Sequence, residues 1–198
     1  MSTQKRLNTN LSTLATCAVM LALAFALSCI KLFEMPMGGS ITMASMLPIM
    51  LVSIKYGAIS GVSTAFLYSL TQLLQAFASG NVFPFCETPA TLIVCIFFDY
   101  LIPFTVLGLA GILHNIKLTK KPEINVYIGI IAVVFVRFIC HFVTGVAIWG
   151  QWAPEGMGKY LYSLVYNGSF LLVDALICII CAIIMFRERS FRKLMHIE

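Results

Sequence analysis

Val126-Tyr-Ile-Gly-Ile-Ile-Ala-Val-Val-Phe-Val-Arg137-Phe-Ile-Cys-His141-Phe-Val-Thr-Gly145-Val-Ala-Ile-Trp149 is the stretch on which the fold turns. It is longer than the roughly 20 apolar residues a helix needs to cross a bilayer, and it is interrupted only by Arg137 and His141. The same composition extends through the chain. Of 198 residues, 60% are hydrophobic and 11% charged, and the mean hydropathy is +0.96. A soluble globular domain of this size cannot shelter so much apolar surface. A cytosolic enzyme, a nucleic-acid-binding domain and a disordered tail are excluded together. The expected class is an all-α integral membrane protein, residues 1–198 forming one transmembrane unit in the lipid bilayer.

Moving outward from that stretch, polar and Gly/Pro punctuation marks apolar segments at Leu14–Phe33, Ile41–Ile54, Ala58–Ser79, Thr91–Leu113, Val126–Trp149 and Tyr160–Phe186. The expectation is six transmembrane helices. The second segment is short and carries Pro48, so a tilted, partial or broken span is expected there. The first does not read as a cleaved signal peptide, since its apolar run is too long and Lys31 and Glu34 stand where a small-residue cleavage site would be needed.

The formal net charge of +5 speaks to orientation. Lys5, Arg6, Lys55, Lys117, Lys120, Lys121, Arg187, Arg189, Arg192 and Lys193 fall at one set of helix ends, and only Lys31 and Lys159 at the other. Positive charge is retained in the cytoplasm, which predicts both termini inside and the tracts 35–40, 79–89 and 150–159 outside.

Four ionisable residues fall within the apolar segments: Asp99, Arg137, His141 and Asp174. Each costs a few kcal/mol in hydrocarbon and so demands a partner or a role. At about 1.5 Å per residue, Asp99 and His141 lie roughly 12 Å below the outer helix ends and Asn167 roughly 10 Å. Polar groups from three helices at one level predict a pocket open to the outside. Arg137, His141, Gly145 and Trp149 follow at i, i+4, i+8 and i+12, one stripe on one face, with the glycine leaving a gap between imidazole and indole. Tyr162 is about 140° around an ideal helix from Asn167. Arg137 and Asp174 lie deeper and read as an ion pair between the fifth and sixth helices. Asp99 has no cation at its own depth, so a cationic ligand can supply its counter-charge. Trp152 and Tyr160 read as an interfacial aromatic belt.

Other features carry less. Six of the seven cysteines lie in apolar runs and read as packing residues, Cys178-x-x-Cys181 included. No metal site and no ATP-binding P-loop is expected, because Ala153 occupies the position where the latter needs glycine. Ala18, Ala22 and Ala26 form a small-residue stripe that permits close approach by another helix, either internal or a partner's. The tract Met35-Pro-Met-Gly-Gly-Ser40 reads as a turn-rich outer loop with the flexibility of a lid.

Four motifs stand in order along nearly the whole chain. They are Met37-Gly-Gly-Ser-Ile-Thr-Met-Ala-Ser-Met-Leu-Pro-Ile-Met50, Asp99-Tyr100 with Leu107-Gly-Leu-Ala-Gly111, Arg137-Phe-Ile-Cys-His141-Phe-Val-Thr-Gly145, and Tyr162-Ser-Leu-Val-Tyr-Asn167-Gly168. Together they resemble the thiamine-specific substrate-binding subunit, or S component, of energy-coupling factor transporters. The resemblance implies a non-enzymatic vitamin receptor of a bacterial plasma membrane, with thiamine as transported ligand and no resident cofactor. Its implied partners are a transmembrane coupling subunit and two cytoplasmic ATPases. It also implies substrate-binding roles for Asp99, Tyr100, His141, Gly145, Trp149, Tyr162 and Asn167, and partner docking through Ala18, Ala22 and Ala26. Another small vitamin as ligand, a self-sufficient proton-coupled transporter using Asp99, His141 and Asp174, and an intramembrane hydrolase remain as alternatives. The hydrolase lacks a glycine-flanked serine at matching depth.

Overall fold

The structure, a computed structural model, describes residues 3–197. Helix α1 (Thr3–Cys29) ends four residues before the expected boundary. The chain then turns back as a hairpin in which β1 (Lys31–Glu34) pairs antiparallel with β2 (Ser40–Thr42). Pro36 opens the 3₁₀ turn Pro36–Gly38, and Gly38 takes φ +103°, a conformation that a side chain resists. The amide of Met35 donates to the Gly39 carbonyl at 2.6 Å. The expected outer loop is therefore an ordered hairpin, and Leu32, Phe33 and Ile41 belong to strands rather than to spans.

Helix α2 (Leu47–Tyr56) carries Pro48 in its first turn, where the missing N–H has no intrahelical partner to lose. The proline starts this helix rather than breaking a longer one. Every residue from Leu47 to Ile54 is buried, as expected of a helix apolar all round. At about 15 Å, α2 reaches only half-way through a bilayer and forms the centre of the bundle. Helix α3 (Ala58–Ser79) begins after Gly57 and ends at Gly80, whose φ of 67° closes it in the left-handed conformation. Helix α4 (Pro89–Asn115) starts at a capping box between Thr88 and Thr91. Helix α5 (Pro122–Ala147) and helix α6 (Lys159–Arg187) complete the bundle. The short helix α7 (Arg189–Leu194) folds back so that Met195 and Ile197 are buried and Arg192 reaches Glu123 at 3.4 Å.

Among the described residues, four helical tracts are long and apolar enough to cross a membrane: Asn10–Cys29 within α1, then α4, α5 and α6. Helix α2 is too short, and the hydroxyls and glutamines of α3, Gln72 and Gln75 among them, leave it outside that set. Large apolar side chains such as Ile59, Leu172 and Ile184 point outward, the arrangement of a bundle whose solvent is lipid.

Glycine lets α4 lie against three neighbours at backbone contact. A Cβ on Gly108 would strike the backbone of Gly61 on α3, one on Gly111 the Ser53 backbone on α2, and one on Gly129 of α5 the carbonyl of Ala110. The Gly111 amide also donates to Ser53 Oγ at 3.0 Å. In lipid, such close packing replaces the hydrophobic drive that water would supply. Gly108→Val is therefore expected to destabilise the fold by about 1–3 kcal/mol, the usual cost of overpacking. Melting in detergent, followed by size-exclusion fluorescence, checks this, and an unchanged midpoint would contradict the α3–α4 contact.

Candidate ligand-binding site

Asp99 sits in a π-helical turn, Ile96–Leu101, inside α4. Pro103 lacks the N–H that would bond the Asp99 carbonyl, and the ladder widens, with the Ile102 amide donating to the Phe97 carbonyl. The wider turn brings the consecutive residues Asp99 and Tyr100 to one cavity wall.

Asp99 is 8% exposed, and its carboxylate accepts from three side chains. His141 Nδ1 lies 2.9 Å from Oδ1, Thr144 Oγ1 donates to the same oxygen, and Trp149 Nε1 donates to Oδ2 at 3.0 Å. Arg137 Nε donates to His141 Nε2 at 3.3 Å. A guanidinium can only donate, so Nε2 must be the bare nitrogen and Nδ1 must carry the proton delivered to Asp99. The imidazole is neutral in this arrangement. Among the described residues no lysine or arginine lies within ion-pair distance of Asp99. A carboxylate supplied with neutral donors thus lines the cavity with no lysine or arginine paired to it among the described residues.

The expected Arg137–Asp174 ion pair is not formed. Asp174 Oδ1 instead accepts from the Thr42 amide at 3.0 Å and the Thr42 hydroxyl at 3.2 Å, fastening the base of the hairpin to α6. Arg137 lies over the Phe104 ring at 4.1 Å and points Nη1 at Met46 Sδ, 2.7 Å away. The guanidinium finds its partners in a ring face, a thioether and the imidazole rather than in a carboxylate.

Asp99, Tyr100, His141, Trp149, Tyr162 and Asn167 all line one cavity. Asn167 donates through Nδ2 to the carbonyls of His141 and Ser163, each at 3.1 Å. Its Oδ1 has no donor among the described residues. Gly145 faces α6 instead, where a Cβ would collide with Ser163 Oγ and crowd Asn167 Nδ2. The gap expected between His141 and Trp149 is thus filled by α6. Trp149 lies beyond the end of α5, in the 3₁₀ turn Trp149–Trp152, so the four-residue stripe breaks before its last member. Trp149 reaches Asp99 by way of that turn. Tyr160 is 63% exposed, and Trp152 packs on Trp149 and on Phe85.

Several lining residues escaped the sequence reading. Tyr166 packs on Tyr162 in a tilted pair with ring centroids 5.6 Å apart, and its hydroxyl donates to the Pro36 carbonyl, holding the hairpin over the cavity. Phe170 packs where a Cβ on Gly39 would sit 3.0 Å away. Tyr162, Tyr166 and Phe170 recur every four residues, a signal that was available. Ser28, with Gln72 and Gln75 donating to its Oγ at 3.1 and 3.0 Å, forms a polar wall. The pair Lys31–Glu34, 2.6 Å apart, also lines the cavity. No signal local to those residues marks their convergence.

The geometry defines a multi-pass membrane protein with a polar, aromatic-walled cavity roofed by a hairpin. The profile of the thiamine transporter protein family (Thia_YuaJ) matches residues 14–193, and the chain belongs to that family. It is 29% identical to the thiamine transporter ThiT of Bacillus subtilis over 187 residues, covering 89% of this chain and 92% of the relative. It is 27% identical to that of Lacticaseibacillus paracasei over 143 residues, 68% and 67% of the two chains. The solved structure of ThiT from Listeria monocytogenes superposes with a TM-score of 0.69 at 25% identity, covering 92% of this chain and 98% of that one. The family is one of transporters, not enzymes, and its members here are bacterial.

The hydrogen-bond direction from Arg137 through His141 to Asp99 has a spectroscopic consequence. Nitrogen-15 NMR of histidine-labelled protein should show His141 protonated at Nδ1 and bare at Nε2. Arg137→Gln should shift that population toward a mixture of tautomers. Protonation at Nε2 in the parent protein would contradict the relay.

Proposed function

We propose that this chain is the thiamine-binding S component of an energy-coupling factor importer and captures thiamine from the extracellular side. The observation that carries the reading is Asp99, a buried carboxylate with neutral donors and, among the described residues, no lysine or arginine partner, set among Tyr100, Trp149, Tyr162 and Tyr166. Thiamine brings a permanently cationic, flat thiazolium ring to match it. Tyr100, Trp149 and Tyr162 present ring faces to the cation. The unmatched Oδ1 of Asn167 and the imidazole edge of His141 serve the aminopyrimidine and hydroxyl groups, while Gly145 sets the α5–α6 spacing on which those groups depend.

In this reading residues 1–198 form one unit of six membrane helices, with α2 and α3 inside the bilayer and both termini in the cytoplasm. The separation of ten basic residues from two supports that orientation. Ala18, Ala22 and Ala26 are exposed on the outside of α1, as a face reserved for another helix requires. The loaded chain docks there on a transmembrane coupling subunit, and two cytoplasmic ATPases drive release.

Thiamine titrated into the detergent-solubilised chain should quench the fluorescence of Trp149 saturably. Asp99→Asn keeps shape and loses charge. It should weaken binding at least tenfold, the ratio that about 1.4 kcal/mol represents. Parent affinity in a folded Asp99→Asn protein would refute the role assigned to the carboxylate. Ala22→Leu should leave thiamine affinity within about twofold while abolishing uptake by the assembled transporter, since a leucine at this packing stripe blocks close approach. Persistent uptake would move the docking face elsewhere.

A further inference from the structure

The cavity has a second polar wall, carried by α1 and α3 and unused by the contacts assigned to Asp99, His141 and Asn167. Ser28 on α1 is 2% exposed, and Gln72 and Gln75 stand half-buried on one face of α3, three residues apart. All three line the cavity. A hydroxyl offers one proton and two lone pairs, and those of Ser28 are all engaged. Its Oγ donates to the Phe25 carbonyl at 2.7 Å and accepts from Gln72 Nε2 at 3.1 Å and from Gln75 Nε2 at 3.0 Å. With its proton spent on Phe25, Ser28 can receive only N–H groups, so both amides must turn their nitrogens toward it. Both carbonyl oxygens are thereby left as acceptors, and neither receives a hydrogen bond from a described residue. The two cations on the lining are occupied elsewhere. Lys31 pairs with Glu34 at 2.6 Å, and Arg137 is turned to His141, Met46 and the Phe104 ring. This wall thus offers acceptors without an uncommitted positive charge. A hydroxyl, which has a proton to give, suits it, whereas a phosphate ester brings further acceptors and negative charge.

We propose that Gln72 and Gln75 form a hydroxyl-binding subsite, in which an amide carbonyl accepts the proton of a hydroxyl on the ligand's side arm, and that this subsite favours the free alcohol over its phosphate ester. Ser28 is a positioning residue that fixes which end of each amide is presented. The inference rests on the proposed function, in which the hydroxyl belongs to the hydroxyethyl arm of thiamine. The lone pairs of that hydroxyl stay available to the groups of α5 and α6 named there. An analogue whose hydroxyl is replaced by hydrogen leaves a partly desolvated carbonyl unpaired, which is how a hydrogen-bonding site discriminates. Because the glutamines are only half-buried, the discrimination is about tenfold rather than the far larger ratios of fully enclosed sites.

The test titrates the full chain in detergent with thiamine, with the analogue carrying ethyl in place of hydroxyethyl, and with thiamine monophosphate, following Trp149 fluorescence. The parent should bind thiamine about tenfold more tightly than either of the other compounds. The double substitution Gln72→Met and Gln75→Met keeps side-chain length and removes both acceptors. It should hold the ethyl analogue within about twofold of the parent, which reports an intact fold, while thiamine falls to the affinity of that analogue. Should the double variant lose the analogue as well, Gln75→Met alone carries the same comparison. Ser28→Ala frees the amides to rotate, and it should narrow the thiamine-to-analogue ratio without moving the analogue's own affinity. Gln75→Lys replaces an acceptor with a cation and should narrow the gap between thiamine and its monophosphate. A parent that binds thiamine and the ethyl analogue equally would overturn the subsite and leave the proposed function standing, as would a preference for thiamine that survives unchanged in the methionine variants. Equal parent affinity for the monophosphate would overturn the rejection of phosphate. A folded parent that binds none of these compounds would refute the proposed function and the subsite with it.

Discussion

A single buried carboxylate organises this molecule. Asp99 can sit 8% exposed in a membrane bundle only because three donors meet it, from His141 and Thr144 on α5 and from Trp149 in the turn that follows. Each neutral donor offsets part of the desolvation without neutralising the charge. The negative charge is thus kept in place for something the protein does not itself supply. Arg137, which could have cancelled it, is held one helical turn lower over the Phe104 ring and acts on Asp99 only through the imidazole.

The backbone makes that meeting possible. Pro103 opens α4 into a π-turn at the residues that carry the carboxylate and its neighbouring tyrosine. On the far side of the same helix, Gly108 and Gly111 draw α3 and α2 to backbone distance, while Ala110 meets Gly129 of α5. Helix α4 is consequently fixed from three directions, and Asp99 is presented at a defined depth. Gly145 plays the matching part between α5 and α6, letting Ser163 and Asn167 approach closely enough for Asn167 to cap the His141 carbonyl.

The roof is tied by different means at its two ends. Asp174 binds the backbone and hydroxyl of Thr42 at the base of the hairpin, and the Tyr166 hydroxyl binds the Pro36 carbonyl at its tip. The first is a charge-assisted anchor deep in the bundle, whereas the second is a single neutral bond at a half-buried tyrosine. The tie at the base is the stronger of the two, since a hydrogen bond to an ionised group outweighs a neutral one.

Composition and periodicity determined the membrane class, the positions of the long apolar helices and the common level of Asp99, His141 and Asn167. Each of these follows from transfer free energy and from a fixed rise per residue, which are properties of the local chain. The four-residue recurrence of Arg137, His141 and Gly145 was equally legible, and so was that of Tyr162, Tyr166 and Phe170, although the latter passed unread. Only the tertiary structure decided what those residues touch. Arg137 turned from Asp174 to His141 because the hairpin delivered Thr42 to the carboxylate. Trp149 left the helix yet found Asp99, and Gly145 served packing instead of opening a gap. The early end of α1, the π-turn in α4 and the polar wall of Ser28, Gln72 and Gln75 likewise depend on partners distant in sequence. Side-chain direction and hydrogen-bond choice are settled by whichever group is brought within 3 Å, and no pattern in one segment can specify that.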